Sequence, residues 1–434
     1  MVVAGFGIVI AIGTVLLMLP IASHAGEPTD LVTALFTSTS AVCVTGLIVV
    51  DTGGHWSTFG ELVVLGLIQV GGFGIMTVAS LLGILVARRF GLRLQRTAQT
   101  ETKSLELGEV RRVVLGVIAI GVVLEIVLAT ILTGRFVLGY GMSVGHAAYM
   151  GVFHAISAFN NAGFALWEDS LMRFASDPLV NLPVLSAVVL GGIGFPVLFQ
   201  LGRRLRGRLN RWTMHAKITL LTYGVLVLVG WIVITALEWG NPNTLGPMGV
   251  GHKLLAGLFH GITPRTAGFN TVDVGQMHPA TLLVNDILMF IGGGSAGTAG
   301  GIKVTTFALL AFVIITEIRG EPSVHVMGRR LPTGVQRQAL TVALLGVGLV
   351  MAATATLLVI TPFRLDEVLF ECVSAFGTVG LSTGITGELP ISAQLIVVLL
   401  MFVGRLGPIT LASALALRER ERRYELPEER PIVG

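Results

Sequence analysis

Residues 159–164 read FNNAGF, a short polar stretch with one glycine that lies between two aromatic residues in an otherwise apolar region. Three further stretches share its design, a small or polar pair followed by glycine and a large apolar residue: VCVTGL at 42–47, PRTAGF at 264–269 and FGTVGL at 376–381. Their glycines, Gly46, Gly163, Gly268 and Gly380, are 117, 105 and 112 residues apart. Self-similarity at a nearly constant period indicates one structural unit that is used four times.

A second glycine pattern follows each stretch and supports this register. It reads GGFG from Gly71, GGIGFP from Gly191, GGGSAG from Gly292 and GRLGP from Gly404. These glycines lie 25, 28, 24 and 24 residues after the glycine of the preceding stretch. Two patterns in the same register are unlikely to arise by chance, so we predict four equivalent repeats.

The composition places the chain in the membrane class. Of its 434 residues, 53% are hydrophobic and 12% are charged, whereas a soluble domain carries about 25% charged residues. The net charge of +4 does not predict a nucleic-acid partner, because most of the basic residues are concentrated in a few linkers and the tail. The cysteines Cys43 and Cys372 fall in apolar segments, which predicts buried thiols and neither a disulfide nor a metal site.

The apolar windows predict an all-α membrane protein with eight transmembrane helices, since a span takes about 20 residues. The windows begin near Val3, Glu61, Val113, Pro183, Ile218, Leu282, Gln338 and Ser392. A shorter apolar segment lies between the members of each pair: Leu31–Val44, His146–Phe159, His252–Ile262 and Glu367–Phe376. Each fits a re-entrant pore helix, although an interfacial helix is the alternative for any one alone.

The predicted architecture is therefore four M1–pore helix–M2 repeats, with four re-entrant pore loops around one pseudo-fourfold pore. We expect repeats at residues 1–90, 104–208, 214–319 and 336–418, followed by a cytoplasmic tail, 419–434. Basic residues predict the orientation, because they cluster in the linkers after the second, fourth and sixth spans and in the tail. By the positive-inside rule these linkers and both termini are cytoplasmic, so the short segments enter the membrane from outside.

Four glycine turns within a membrane predict an ion path. Non-helical backbone at membrane depth is tolerated only where it is buried in protein or lines a water-filled cavity. Four such segments around one axis can direct carbonyl oxygens to the centre, where they replace the hydration shell of a monovalent cation. Glycine supplies the backbone freedom, and the partly negative ends of the preceding helices favour cations. Glycine-rich helix breaks needed only for packing are the alternative interpretation.

This arrangement resembles the Trk/Ktr/HKT superfamily of potassium transporters over essentially the whole chain, and it is most similar to the Ktr-type membrane subunit (KtrB). Eight spans leave no room for the additional N-terminal helix pair typical of TrkH proteins, which is why the Ktr type is favoured. The resemblance implies a K⁺ selectivity filter made of Val44, Thr45, Gly46, Asn161, Ala162, Gly163, Thr266, Ala267, Gly268, Thr378, Val379 and Gly380. Relatives with serine at the first filter glycine tend to pass sodium, so Gly46 implies potassium. A sodium-coupled or sodium-permeable cation transporter of the same superfamily is the alternative.

The third repeat contains an insertion that predicts a gate. The sequence IGGGSAGTAGGIK, at 291–303, interrupts the sixth span, and its glycines make a continuous helix improbable; a kinked helix packed through its glycines is the alternative. In the family the matching segment is an intramembrane gating loop, and an arginine beneath the filter repels cations. The resemblance thus assigns the gate to Gly292, Gly293, Gly294, Ser295, Ala296, Gly297, Thr298, Ala299, Gly300, Gly301, Lys303 and Arg405. We also expect Arg265 and Glu371 to pair behind the filter, because buried charges need partners.

The remaining expectations concern activity and partners. We find no metal-ligand spacing, nucleophile motif or phosphate-binding loop in the sequence, so an enzyme is not predicted; a secondary transporter with a midplane site is disfavoured because all four repeats share one orientation. No cofactor is expected beyond transported K⁺, with Na⁺ as a possible activator. The resemblance implies a homodimer in the lipid of the plasma membrane that pairs with a cytosolic RCK regulatory subunit (KtrA-type) binding ATP or ADP. The basic linkers and the tail are the accessible docking segments for that subunit.

Overall fold

The computed structural model describes residues 2–74, 107–207 and 211–417, and this part of the chain is mostly helical. The predicted tail, 419–434, and most of the first basic linker lie outside the described residues. The fourteen principal described helices are α1 Val2–Leu17, α2 Leu31–Val42, α3 Thr58–Gly74, α4 Leu107–Tyr140, α5 Val144–Phe159, α6 Pro178–Gly192, α7 Phe195–Leu205, α8 Met214–Glu238, α9 Val250–Ile262, α10 Pro279–Phe290, α11 Val304–Ile318, α12 Thr333–Ile360, α13 Leu365–Gly377 and α14 Ile391–Leu417. Short elements connect them: a one-turn helix, Thr52–His55; 3₁₀ turns at Pro20–Ala22, Met172–Phe174, Val274–Gln276 and Ile385–Glu388; and a two-stranded hairpin, β1 His325–Val326 and β2 Arg329–Arg330.

Helix starts follow from local chemistry. The Asp30 carboxylate caps α2 by accepting a hydrogen bond from the Val32 amide at 2.9 Å, and Asp177 caps α6 through the Leu179 amide at 2.9 Å. Such side chains satisfy amides that have no partner within the helix. Helix α6 also has proline at its first position, where the missing N–H costs nothing.

The helices repeat a motif in which a short helix packs on the long helix before it. Contacts join α2 to α1, α5 to α4, α9 to α8 and α13 to α12. Neighbouring units also meet, since α6 packs on α9, α10 on α13, and α14 on α2. The last contact brings the fourth unit against the first, so the units form a closed arrangement.

Within the described residues, three helices are long and apolar enough to cross a membrane alone: α8, α12 and the Val114–Tyr140 part of α4. The pair α6 and α7 passes the same test together, although its axes differ by 110°. The protein is thus membrane-embedded, whereas the count of eight spans stays a prediction. The fourth span was expected to begin near Pro183; the structure divides this region into two helices, because Gly194, with φ of 92°, ends α6 and the proline after Phe195 lies at the beginning of α7.

Helix α10 ends at Phe290 and α11 begins at Val304. The segment between them is non-helical and is closed at its base by a bridge between Ile291 and Ile302. Below α11, the linker forms the β1–β2 hairpin, which sequence analysis did not predict. Its turn residues Met327 and Gly328 both have positive φ, 49° and 77°, the geometry of a tight two-residue hairpin.

Candidate functional site

The four glycine stretches adopt the same unusual backbone. In each, the first filter residue and the glycine have left-handed φ values, whereas the residue between them does not. The angles are 53° and 93° at Val44 and Gly46, 58° and 71° at Asn161 and Gly163, 66° and 74° at Thr266 and Gly268, and 48° and 89° at Thr378 and Gly380. A left-handed non-glycine residue costs about 1–3 kcal/mol. Its recurrence at four equivalent positions means that the surrounding structure holds it there.

A serine or threonine at the end of each short helix holds the backbone in this conformation; it lies in the last turn, or, for Thr263, immediately after the helix. Its carbonyl accepts the amide N–H of the middle filter residue, at 2.8 Å for Thr45 to Ser40, 2.7 Å for Ala162 to Ser157, 2.9 Å for Ala267 to Thr263 and 2.8 Å for Val379 to Ser374. Its hydroxyl bonds the same strand again. Ser40 and Ser374 accept the filter-glycine amide at 3.1 and 3.2 Å, whereas Ser157 and Thr263 donate to the carbonyl after the glycine, at 2.8 and 2.5 Å.

Sequence analysis missed these hydroxyl residues. The signal was available, because a serine or threonine precedes every filter glycine by five or six positions. It was overlooked because serine and threonine are common in membrane helices and each looked unremarkable alone.

The four glycines lie next to one another in a ring. A Cβ atom built on Gly163 would lie 2.6 Å from the Cα of Gly268, and one on Gly268 would lie 2.8 Å from the carbonyl oxygen of Val379. A Cβ on Gly380 would meet the Thr45 carbonyl oxygen and lie 3.0 Å from the Cα of Gly46. The ring closes where a Cβ on Gly46 would meet the Ala162 carbonyl oxygen and lie 3.1 Å from the Cα of Gly163. No side chain fits at these four positions without displacing the neighbouring segment.

The carbonyl groups of the filter segments are without hydrogen-bond donors. Among the described residues, no N–H or O–H group donates to the carbonyl oxygen of any first or middle filter residue, eight oxygens in all. The middle side chains, in contrast, are fully buried in the protein. Buried carbonyl groups nearly always have a partner, and the four oxygens of the middle residues lie at the ring, where each is among the atoms that a Cβ on a neighbouring glycine would approach. The pore-helix carboxyl ends immediately before them add negative potential.

A polar network behind the second filter segment joins two repeats. The Asn160 side-chain amide donates to the Gln69 oxygen at 2.8 Å and to the Glu125 carboxylate at 3.0 Å, while the Gln69 amide donates to Glu125 at 2.8 Å. Asn161 donates to the Arg265 carbonyl at 3.3 Å. The asparagine pair thus bonds behind the filter, and Glu125, for which the sequence offered no role, orients the first asparagine.

The expected pair of Arg265 and Glu371 is wrong. Arg265 donates to the carbonyl oxygens of Leu288, at 3.1 Å, and Ile291. Glu371 accepts hydrogen bonds from the segment after the fourth filter, including the Thr383 amide at 3.0 Å. The two charges therefore serve different segments, since backbone and hydroxyl groups lie closer to each than the other charge does.

Histidines take the place of Glu371 in the second and third repeats. The amide three residues after the filter glycine donates to His154, from Leu166 at 3.3 Å, and to His260, from Thr271 at 3.3 Å. Each group anchors the strand beyond the filter to its pore helix. The scattered histidines thus include two equivalent ones, which only the repeat register could have revealed.

The non-helical segment 291–303 lies against the bend of the second repeat. Its Gly294 amide donates to the Gly192 carbonyl at 2.7 Å, and the Thr298 amide donates to Gly191 at 3.2 Å. In return, the Phe195 amide donates to the Ala296 carbonyl at 3.1 Å. The bend between α6 and α7 therefore provides the backbone groups that hold the segment. The predicted gate residues 292–301 all lie in this segment.

Two cations accompany the segment on the side of the fourth filter stretch. Arg405, 3% exposed, donates to the Thr298 carbonyl, and its Nε and second terminal nitrogen have no partner among the described residues. Lys303 donates to the carbonyl oxygens of Ala299 and Gly300 at 2.5 and 3.4 Å. A Cβ on Gly300 would lie 2.6 Å from the Gly377 carbonyl oxygen, immediately before the filter. The segment and both charges thus lie beside the fourth glycine stretch.

Comparison with known proteins identifies relatives along the whole chain. The family model described as "TrkH: Cation transport protein" matches residues 1–423. The Ktr system potassium uptake protein B of Bacillus subtilis is 40% identical over 416 residues, 96% of this chain and 92% of that protein. The protein of the same description from Vibrio alginolyticus is 38% identical over 97% of this chain and 91% of its own length.

Two further matches extend the comparison. The potassium/sodium uptake protein NtpJ of Enterococcus hirae is 32% identical over 100% of this chain and 96% of its own. The crystal structure of the potassium transporter TrkH from Vibrio parahaemolyticus superposes with a TM-score of 0.71 at 18% identity, covering 97% of this chain and 86% of that one. At that identity the likeness concerns the fold.

Proposed function

The chain belongs to the TrkH family of cation transport proteins, whose members transport ions and are not enzymes, and from this membership we propose that it carries K⁺ into the cell across the plasma membrane. Two of its relatives are named potassium uptake proteins. The ring at Gly46, Gly163, Gly268 and Gly380 is the selectivity filter in this proposal. K⁺ is the transported substrate, and no cofactor takes part.

The observation that carries the proposal is the ring of four glycines with the carbonyl oxygens of Thr45, Ala162, Ala267 and Val379 beside it, none of which accepts a hydrogen bond from the described residues. A dehydrated K⁺ ion requires such oxygens as substitutes for its hydration shell. Left-handed φ at alternate residues turns successive carbonyl groups toward one side of the strand, whereas a regular strand alternates them. The hydroxyl and asparagine contacts behind the strand then fix the oxygens at their positions.

The segment 291–303 acts as a gate in this proposal. Unpaired guanidinium nitrogens of Arg405 and the ammonium of Lys303 place positive charge beside the path, where it raises the free energy of a passing cation. The backbone bonds from Gly294 and Thr298 hold the segment in place. Opening requires these bonds to break, and the glycine content makes other backbone conformations accessible.

The alternative function is sodium-permeable or sodium-coupled transport. It is supported by the relative that is named a potassium/sodium uptake protein. Gly46 favours potassium, because glycine leaves the first filter segment free of a side chain at the ring. Activation by Na⁺ belongs to the same alternative.

The relatives are named as protein B of a Ktr system, and a system has more than one component. This name supports a proposal that the chain works with partner subunits. We propose a homodimer in the lipid bilayer, with both termini cytoplasmic, regulated by a cytosolic RCK subunit that binds ATP or ADP. The basic linkers are the segments available for docking. The repeat boundaries and the count of eight spans belong to the same proposal.

Uptake by proteoliposomes tests this function. Purified protein should take up radiolabelled rubidium, a K⁺ substitute, faster than sodium from equal gradients. Empty liposomes and protein with Gly163→Trp, which fills the ring, are the controls. Equal rubidium and sodium uptake would support the alternative, and uptake no greater than that of empty liposomes, with and without the regulatory subunit, would contradict both.

A further inference from the structure

A basic cavity lies at the beginning of α8, and no residue of the proposed filter lines it. It has a volume of about 620 Å³ and is lined by residues of the linker before α8 and of the hairpin β1–β2: Arg211, Trp212, Thr213, Met214, Lys217, Met327 and Arg329. Three of these side chains are cationic and none is acidic. None of the three cations forms an ion pair within the described part of the chain.

The cavity walls are fixed by the fold. Gln200, in the middle of α7, accepts a hydrogen bond from the Thr213 amide at 3.1 Å and donates one to the Thr213 hydroxyl at 2.9 Å, which holds the linker beside α7. The hairpin is attached by a small apolar cluster, Ile218, Ala308, Val324, Val326 and Leu331. The charged groups are therefore brought together by ordered elements.

The beginning of α8 adds a second feature that favours an anion. Thr213 caps the helix through the Ala216 amide at 3.2 Å, whereas the amides of Met214 and His215 have no acceptor among the described residues. Free amides at a helix amino terminus, together with arginine and lysine, bind phosphate groups well.

The position of the cavity indicates which phosphate it takes. Helix α8 is a candidate membrane span that begins at Met214, so Lys217 and Trp212 lie at the boundary between the apolar layer and water. Tryptophan is enriched at this depth, and two methionines add apolar lining. An acidic protein surface would approach from the aqueous side and has no need of apolar lining. Basic pockets at the ends of membrane helices suit lipid head groups.

We propose that this cavity binds the phosphate group of an anionic phospholipid in the leaflet that faces the basic linkers. Arg211, Lys217 and Arg329 contact the phosphate oxygens, while Met214 and Met327 contact the beginning of the acyl chains. None of the cavity's lining residues belongs to the proposed filter or gate, so the existence of the site does not depend on which cation the protein transports.

Lipid binding to the purified full-length protein tests the site. The probe is phosphatidylglycerol, and binding is measured by native mass spectrometry and by the shift in thermal unfolding, with phosphatidylcholine and inorganic phosphate as comparison probes. The variant is R211Q/K217Q/R329Q. A matched control, R319Q/R330Q/R337Q, removes three basic side chains from the same group of linkers, none of which lines the cavity.

We expect wild type and control to bind phosphatidylglycerol equally and the cavity variant to bind about a hundredfold more weakly, from about a fivefold loss for each basic group. If the triple variant does not fold, R329Q on the exposed hairpin should show about a fivefold loss. Equal binding by wild type and the cavity variant would overturn the proposal. Equal stabilisation by inorganic phosphate at the same concentration would overturn the lipid assignment. The lipid assignment would also be overturned if the cavity variant bound phosphatidylglycerol like the wild type but no longer bound the regulatory subunit in a pull-down.

Discussion

Substitution of Gly46 by serine perturbs the filter in a way that the structure defines. The residue has a φ of 93°, in a region that side chains rarely adopt. A new Cβ would meet the Ala162 carbonyl oxygen and lie 3.1 Å from the Cα of Gly163. The contact with a backbone oxygen is too short to be relieved by a side-chain rotation, so the second filter segment must move by more than a few tenths of an ångström, and the Ala162 carbonyl group moves with it.

The size of the effect on ion selectivity follows from the backbone strain at residue 46. A residue held in an unfavourable backbone region costs about 1–3 kcal/mol, and the filter can relieve that cost by shifting the carbonyl positions. If the filter's free-energy preference for K⁺ over Na⁺ falls by this amount, the K⁺/Na⁺ permeability ratio falls by about 5- to 150-fold. The direction is a loss of preference for K⁺, because the native positions are those that suit the larger ion.

The assay is the reversal potential of proteoliposomes or planar bilayers with K⁺ on one side and Na⁺ on the other. Gly141→Ser is the matched control, because Gly141 also has a left-handed φ, 67°, yet a Cβ there would meet nothing within 4 Å. We expect the control to keep the wild-type reversal potential. An unchanged reversal potential in folded Gly46→Ser protein would refute the reasoning.

Three further predictions concern the proposed gate, the support of the proposed filter and the beginning of α6. Arg405→Ala, or deletion of Gly294–Ala299, should increase K⁺ uptake several-fold because positive charge or a physical obstruction leaves the path; unchanged or lower uptake from folded protein would argue against a gate. Ser374→Ala leaves the filter-glycine amide of the fourth repeat without its acceptor and should lower stability by about 1–3 kcal/mol, measured by thermal unfolding, whereas Ser186→Ala on an exposed helix face should cost little. The hydrogen bonds from an arginine and a tyrosine of α4 hold the pKa of Asp177 below its ordinary value, although burial alone would raise it. Its stabilising effect should therefore be present above about pH 4 and be lost as the pH falls below the lowered pKa; Asp177→Asn should remove that part of the pH dependence of the melting temperature.

The sequence allowed several features to be predicted because they depend on local chemistry. The short helix before FNNAGF was expected from His146 to Phe159, and α5 runs from Val144 to Phe159. A break was expected where glycines replace helix formers, and no helix is present between Phe290 and Val304. Apolar length and glycine content determine both features, so no knowledge of distant contacts was needed.

Features that depend on distant contacts could not be predicted. The partners of Arg265 lie 23 and 26 residues away on α10 and at its end, and no periodicity indicates such carbonyl acceptors. The bend between α6 and α7 arises where the segment 291–303 supplies hydrogen bonds from another repeat. The role of Glu125 likewise became evident only when folding brought Gln69 and Asn160 to it.

The central claim is that carbonyl oxygens from all four repeats hold one dehydrated alkali ion, and anomalous diffraction from crystals grown in rubidium tests it most directly. We expect a rubidium peak on the axis between Gly46, Gly163, Gly268 and Gly380, within coordination distance of carbonyl oxygens from every segment, that weakens when sodium replaces rubidium. Absence of a peak inside that ring, with the ring intact in the same crystals, would contradict the account.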